Sequence, residues 1–336
     1  MDQREGILLV RLKSMGDILF TLPAVHALRA AMPDARICFL ISKEYAPLLK
    51  GFREVNSTIE LDRSRFRGLH PMRMLREAAS LIRQMRRERL RLAIDLQGYG
   101  ETALLTWASG ARERWGTVYR ATRAWAYTGA VPRNTKIHPA EDYLQLLQKN
   151  AGISAPVRNE FFLPEQAGSE AAKFFSAHAL RMDQPTLFIQ ALTSAGQKNW
   201  PLHDYLELAG VWQKRGWQVL FGGGPQDRAA LEPVQKAGYL VTAGAPLLVS
   251  AGLARLSTLV LGGDTGLLHL AVAMGKRVVM LMRSTLPGST HPFQHKDWAI
   301  GPKAEGLINS ITTEAVIEAC TRASVELGIT VQHFSR

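Results

Sequence analysis

The sequence predicts an α/β protein made of two domains, each built from repeated strand–turn–helix units. Three observations carry that prediction. Short β-prone runs are followed by a glycine-rich or polar turn and then an apolar helix at 7–31, at 90–109 and at 259–274. The 336 residues exceed the usual length of one domain and divide naturally into two of about 150 residues each. Apolar residues make up 46% and charged residues 21%, the balance of a folded globular enzyme, which excludes disordered and collagen-like classes.

Ile7 to Leu12 is the first strand, Lys13-Ser14-Met15-Gly16-Asp17 is its turn, and Ile18 to Ala31 is the helix that follows. Pro23 falls in the first turns of that helix, where a missing N–H is tolerated or kinks the chain. Asp17 thus stands at the carboxyl end of the first strand, the edge where open α/β sheets place their ligands. It reads as a helix N-cap, as a catalytic base or as both, because an aspartate fixed at a helix start holds its position and its charge. Strands follow at Arg36–Ile41 and near Thr58–Leu61, with a short helix at Tyr45–Gly51 between them. Arg63, Arg65, Arg67, Arg73 and Arg76 crowd the approach to a long helix, Met72 to Arg89. They read as a solvated face or, for the three that precede the helix, as binding groups on a loop.

Leu90 to Leu96 is a buried strand, followed by the turn Gln97-Gly98-Tyr99-Gly100 and an apolar helix to about Ser109. Trp115, Arg120, Arg123, Trp125 and Tyr127 then interleave basic and aromatic residues without a clear period. That pattern suits a stacking surface. Sugar is the expected partner rather than nucleic acid, since no helix-turn-helix, zinc-finger or RNP pattern accompanies the charge. His138-Pro139 opens a helix at Ala140–Asn150, and the first domain closes at residue 164.

The second domain, 165–311, starts with a helix near Gln166–Leu180 and a strand at Thr186–Gln190. The turn after that strand carries Thr193 and Ser194, whose hydroxyls sit at a strand end, and Lys198, a point charge suited to phosphate. A helix from Pro201 to Arg215 leads to a strand at Trp217–Phe221 and the loop Gly222-Gly223-Gly224-Pro225-Gln226-Asp227. Glycine there permits close backbone approach, and Asp227 is placed to accept hydrogen bonds from a ribose, although a lone glycine triplet favours a plain loop.

The chain is organised around Leu259 to Met282, in which Gly262-Gly263-Asp264-Thr265-Gly266 joins a strand to an apolar helix. A helix opening straight out of a strand aims free N–H groups and its positive dipole end at the strand's carboxyl edge, which suits a diphosphate. The N–H groups of Thr265, Gly266 and Leu267 would meet the phosphates. Asp264 would repel them, so it is expected to cap the helix or to accept hydrogen bonds from ligand hydroxyls. His269 reads either as a satisfied core histidine or as a site residue. A last helix is expected from Thr312 to Leu327.

Forty-one Lys and Arg against 29 Asp and Glu leave a net charge of +12, concentrated in the first half. An anionic partner is implied, whether nucleic acid, a membrane surface or an acidic substrate. Cys38 and Cys320 are the two cysteines, with no CxxC spacing, so neither a disulfide framework nor a cysteine metal site is supported and a reducing cytoplasm is the expected location. No apolar run approaches a membrane span of about 18 residues, and Ile7–Val10 is too short for a signal-peptide core. Any membrane contact would be made from the surface.

Four segments, KSMGDILFTLPAVHALR, AIDLQGYGETALLTWASGARERWG, TSAGQKNWP and GGDTGLLHLAVAMG, together resemble glycosyltransferase family 9, the ADP-heptose:lipopolysaccharide heptosyltransferases. The resemblance thins over Arg53–Met85 and the last 30 residues. It implies the GT-B fold, two facing Rossmann-like domains with parallel sheets and a cleft between them, the acceptor on the first and the sugar nucleotide on the second. It also implies that residues 312–336 form a terminal helix crossing back to the first domain. The implied reaction is inverting transfer of heptose from ADP-heptose to a Kdo or heptose hydroxyl of the lipopolysaccharide inner core, at the cytoplasmic face of the inner membrane.

By the same resemblance Asp17 is the general base and Lys198 stabilises the leaving diphosphate, with no metal or other cofactor. Thr193, Ser194, Gly223, Asp227, Asp264, Thr265, Gly266, Leu267 and His269 would bind the donor. Arg11, Lys13, Ser14, Gly16, Arg65, Gln97, Arg120 and His138 would bind the acceptor. Rival readings are another sugar-nucleotide transferase or epimerase of the same fold, and a non-catalytic basic module binding anionic lipid or nucleic acid. A dehydrogenase is disfavoured because the first strand is followed by a single Gly16 and not by GxGxxG.

Overall fold

The computed structural model describes residues 6–66, 70–302 and 307–329, without the side chains of 65, 66 and 71. The chain divides into two compact units, Met1–Phe162 and Leu163–Arg336.

The first unit holds six strands: β1 Gly6–Val10, β2 Arg36–Ser42, β3 Ser57–Leu61, β4 Leu90–Asp95, β5 Glu113–Val118 and β6 Gly129–Pro132. They form one parallel sheet in the order β3-β2-β1-β4-β5-β6. Its helices are α1 Met15–Leu19, α2 Leu22–Ala31, α3 Pro71–Arg87, α4 Gly100–Ala108 and α5 Pro139–Ala151. The central strands are near-continuous apolar runs because helices cover both sheet faces: Leu8, Leu9, Val10, Phe39, Leu40 and Ile94 are fully buried. Leu81 and Met85 of α3 pack with Leu8, Val10, Leu40 and Ala93 on one face.

The second unit repeats the plan. It contains α6 Glu165–Ala177, β7 Thr186–Gln190, α7 Leu202–Lys214, β8 Gln218–Gly222, α8 Glu232–Lys236, β9 Leu240–Val241, α9 Leu247–Leu256, β10 Leu259–Gly263, α10 Gly266–Ala273, β11 Val278–Leu281, β12 Ala299–Ile300 and α11 Thr313–Glu326. The sheet is again parallel, in the order β12-β11-β10-β7-β8-β9. Within each unit the chain starts at a central strand, winds outward to one side, then returns and winds to the other. The reversal falls between β1 and β4 in the first unit and between β7 and β10 in the second. Open α/β sheets bind ligands in the crevice at the carboxyl ends of such a strand pair.

One feature departs from the sequence expectation. Of the residues read as a stacking surface, Trp115 and Tyr127 are buried in the region that forms strands β5 and β6, while Trp125 and Arg120 are exposed. The Tyr127 hydroxyl donates to Asp95 Oδ2 at 2.6 Å, so that aromatic is spent on satisfying a buried carboxyl. The terminal helix α11 packs within the second unit over the described residues. Val316, Ala319, Cys320 and Ala323 of α11 join the core of the second sheet with Leu261 and Leu281, and Trp200 Nε1 donates to Ile311 O at 2.8 Å just ahead of it. An apolar face this complete is satisfied where it stands; residues 330–336 lie outside the described residues. Both cysteines are buried free thiols, and burial pushes Cys38 up to about 11 and Cys320 up to about 12. Among the described residues no helix is long and apolar enough to cross a membrane.

Candidate functional site

In the first unit the site is built where β1 and β4 end side by side. Val10 pairs with Asp95 across the two strands, so the turns that follow leave the sheet together. Asp95, fully buried, shapes the second turn: its Oδ1 accepts the N–H groups of Gln97 at 2.8 Å and Gly98 at 2.9 Å. Burial pushes its carboxyl above the usual range in spite of those bonds and that of Tyr127. The turn presents Gln97, whose Oε1 accepts from Leu12 N at 2.9 Å and Lys13 N at 3.3 Å. The loop leading to Asp17 is therefore pinned from the neighbouring strand.

Asp17 lies in α1, three residues after its N-cap, Ser14. Its Oδ2 accepts Arg11 Nη2 at 2.6 Å, Ser14 Oγ at 3.0 Å and Ser14 N at 3.3 Å. The aspartate is partly exposed; Arg11 is buried and also donates to Leu96 O at 2.8 Å. Asp17 is thus not the N-cap of α1; from the third helical position it accepts the N–H of the N-cap, Ser14. Arg11, expected to meet the acceptor, is held from both sides by the protein, while Lys13 and Gly16 lie on the same short loop and helix.

The remaining first-unit candidates are dispersed. His138 is buried at the start of α5, its Nδ1 accepting from Ala140 N at 3.1 Å and its ring edge-on to Phe20 with centroids 4.7 Å apart. Nδ1 therefore carries no proton and serves the helix. Arg120 is exposed. The side chain of Arg65 and all of Arg67 lie outside the described residues. Two residues that the sequence did not single out stand near Arg11. Tyr143 on α5 is fully buried with no hydrogen-bond partner for its hydroxyl among the described residues, and burial pushes it up to about 12 against the pull of Arg11. Arg133 pairs with Asp142 at 2.8 Å, its guanidinium carbon 5.2 Å from the Tyr143 ring centroid.

In the second unit the site forms where β7 and β10 end. Gly263 closes β10, and a Cβ there would lie 2.7 Å from Thr193 Cγ2 and 3.3 Å from Lys198 O. Glycine at this position serves the close approach of the 193–198 loop rather than a turn. The Thr193 hydroxyl is used within that loop, donating to Ala195 O at 2.8 Å; Ser194 is exposed. Asp264 collects the site. Its Oδ2 accepts Lys198 Nζ at 2.7 Å and Thr290 Oγ1 at 3.1 Å, and its Oδ1 meets His269 Nε2 at 2.9 Å. Burial opposes its charge, but the hydrogen bonds and charges of His269 and Lys198 outweigh burial and hold Asp264 well below the usual carboxylate range. An ionised carboxylate only accepts, so Nε2 of His269 carries the proton.

Asp264 is therefore not the cap of α10. Thr265 is the N-cap, its hydroxyl accepting from Leu268 N at 3.4 Å. Gly266 and Leu267 begin α10, where the first N–H groups have no intrahelical partner. A cavity of about 790 Å³ is lined by Lys198, Asp264, Arg283, Ser284, Ser289 and Thr290 among others; Thr265, Gly266 and Leu267 are not among its lining residues. Arg283 and Thr290 sit on a loop without periodicity, 19 and 26 residues beyond Asp264 in the chain, and no sequence pattern ties them to it. Gly223 packs within its own loop, where a Cβ would lie 2.6 Å from Leu231 Cδ1, and Asp227 Oδ2 accepts Gly224 N at 2.7 Å. That loop follows β8, one strand away from the Asp264 cluster.

Two α/β units of identical strand order follow the GT-B plan, and the match to a glycosyltransferase family makes the chain an enzyme of that class. The chain belongs to glycosyltransferase family 9 (heptosyltransferase), whose family model matches residues 78–314. It is 24% identical to lipopolysaccharide heptosyltransferase 1 of Escherichia coli (strain K12), over 93% of this chain and 98% of that one. Among solved structures it resembles a family 9 glycosyltransferase from Veillonella parvula DSM 2008, with a TM-score of 0.83 and 20% identity over 96% of this chain and 98% of that one. It also resembles the E. coli ADP-heptose lps heptosyltransferase II, with a TM-score of 0.79 and 23% identity over 96% and 99%.

Proposed function

We propose that the protein transfers heptose, with inversion, from ADP-heptose to a Kdo or heptose hydroxyl of the lipopolysaccharide inner core. The observation that carries this reading is the ionised Asp264 with Lys198 and His269 on it, at the switch point of the second sheet and beside the start of α10. A departing diphosphate needs fixed positive charge; in this reading Lys198 and Arg283, which line the cavity, supply it together with the first N–H groups of α10. The names of the relatives support ADP-heptose as the donor and lipopolysaccharide as the acceptor. In this reading the first unit takes the acceptor and Asp17 is the general base. The test is ADP release from ADP-heptose in EDTA, with a Kdo-terminated or a heptose-terminated lipid A acceptor. Release that depends on one acceptor is the expected result and names the core position; no release with either, and no ADP binding, overturns the reading.

The reading also places the enzyme on the cytoplasmic face of the inner membrane, where a glycolipid acceptor is anchored. Trp107 and Trp125 support it: both are more than half exposed, they pack edge-on with centroids 5.9 Å apart, and Leu104 one turn from Trp107 is equally exposed. Exposed Arg112 and Arg120 are close in sequence. Indole rings and arginine together suit the interface of an anionic bilayer. Sedimentation with phosphatidylglycerol vesicles is expected, weakening in a Trp107→Ser/Trp125→Ser variant; equal sedimentation of the variant would remove this surface from the account.

A further inference from the structure

We propose that Arg11 is the positioning residue of Asp17, fixing one carboxylate oxygen so that the other is presented to the acceptor hydroxyl; this rests on the transfer reading above. Every contact of the Asp17 carboxylate converges on Oδ2: the Arg11 guanidinium at 2.6 Å, the Ser14 hydroxyl at 3.0 Å and the Ser14 amide at 3.3 Å. Among the described residues Oδ1 has none. A carboxylate with three donors on one oxygen has a fixed plane, and its unoccupied oxygen is the atom open to a new proton.

Arg11 is held through both terminal nitrogens of its guanidinium, while its buried Nε has no hydrogen-bond partner among the described residues. The residue is 6% exposed, and its Nη1 donates to Leu96 O, the residue after β4. The next residue, Gln97, holds the N–H groups of Leu12 and Lys13. Two consecutive residues of one strand end thus fix the guanidinium and the loop beside it. Burying a guanidinium is costly, and a pair that served only stability could be replaced by apolar packing. Such a buried cation would also be a poor ligand for an acceptor carboxylate, since its outward nitrogen is already spent on Asp17.

In the step this serves, the acceptor hydroxyl gives its proton to Asp17 Oδ1 as its oxygen bonds to the anomeric carbon. The bond from that carbon to the diphosphate oxygen breaks, and its electron pair leaves with ADP. Arg11 touches neither sugar. Its contribution is the orientation of the base, for which a misplacement of about 1 Å costs about 10²-fold in rate.

The test compares Arg11→Lys, Arg11→Gln and Ser14→Ala with the parent protein by acceptor KM, kcat, ADP affinity and thermal midpoint. Arg11→Gln is expected to lose about 10²-fold in kcat with acceptor KM changed less than about threefold and ADP affinity unchanged. Arg11→Lys keeps the charge but not the two-pronged fork and recovers part of that loss. Ser14→Ala, which removes one Oδ2 donor and no buried charge, gives a smaller loss in kcat. If Arg11→Gln fails to fold, the kcat of Arg11→Lys and Ser14→Ala decides. A rise in acceptor KM at constant kcat would make Arg11 an acceptor ligand and overturn the proposal. So would a loss of activity that merely tracks the folded fraction. A parent protein that releases no ADP from ADP-heptose overturns the transfer reading itself, which the variants do not address.

Discussion

Asp17→Asn is expected to lower the transfer rate by about 10²- to 10⁴-fold, the range for loss of a positioned general base, while ADP binds as before. Asparagine preserves the size of the side chain and an acceptor oxygen for Ser14, but it cannot take the acceptor's proton. ADP binding is the informative control, because Lys198, Asp264 and α10 all belong to the second unit. The substitution also leaves the buried Arg11 guanidinium without its counter-charge. Asp17 is 34% exposed in its side chain, so solvent moderates the penalty, and a stability loss of about 1–2 kcal/mol is expected by denaturant titration. That loss is far too small to unfold a two-domain enzyme and cannot account for 10² in rate. Transfer by Asp17→Asn at a tenth of the parent rate or more would show that another group takes the proton.

The same pair of residues shows how much of the site can be read in a sequence. Asp17, Lys198, Asp264 and His269 are legible because each follows a strand by a few residues, and the carboxyl edge of a parallel sheet is where such residues converge. Their partners are not legible. Thr290 reaches Asp264 from a loop 26 residues further on, and nothing in its local pattern points there. Arg11 is the last residue but one read into the first strand, where a basic side chain suggests an outward ligand group; only the end of β4 beside it shows that the guanidinium is inward and held. Gly262 and Gly263 look like turn residues, yet both complete β10, since glycine serves close backbone approach as well as turning.

The fold itself follows the same division. Strands with apolar runs, such as 90–96 and 259–261, are visible as sequence because burial on both faces leaves a contiguous signal. Strands β5 and β6 are not, because Glu113, Arg114 and Pro132 interrupt their apolar character. Whether the amphipathic α11 packs on its own sheet or on another depends on which apolar surface is left open, a tertiary property that its own sequence does not encode.

Lys198→Met is expected to weaken ADP binding by about tenfold or more and to lower the transfer rate by about 10²- to 10³-fold, the cost of removing one fixed donor to a developing charge. The loss has two parts. Lys198 is 41% exposed in its side chain and Asp264 only 14%, so the lysine is the member of the pair that a diphosphate can reach. Removing it withdraws that charge and also uncovers a carboxylate whose remaining partner, His269, still favours the charged form, since the hydrogen bond and charge of His269 lower Asp264 more than those of Lys198 do. The exposed carboxylate then repels the diphosphate. Neutralising it should therefore undo part of the damage, and Lys198→Met/Asp264→Asn is expected to bind ADP more tightly than Lys198→Met alone. Adenosine, which carries no phosphate, should bind all three proteins alike. If the double variant binds ADP no better than the single one, Asp264 does not act through the charge of Lys198, and its role reduces to holding His269 and Thr290 in place.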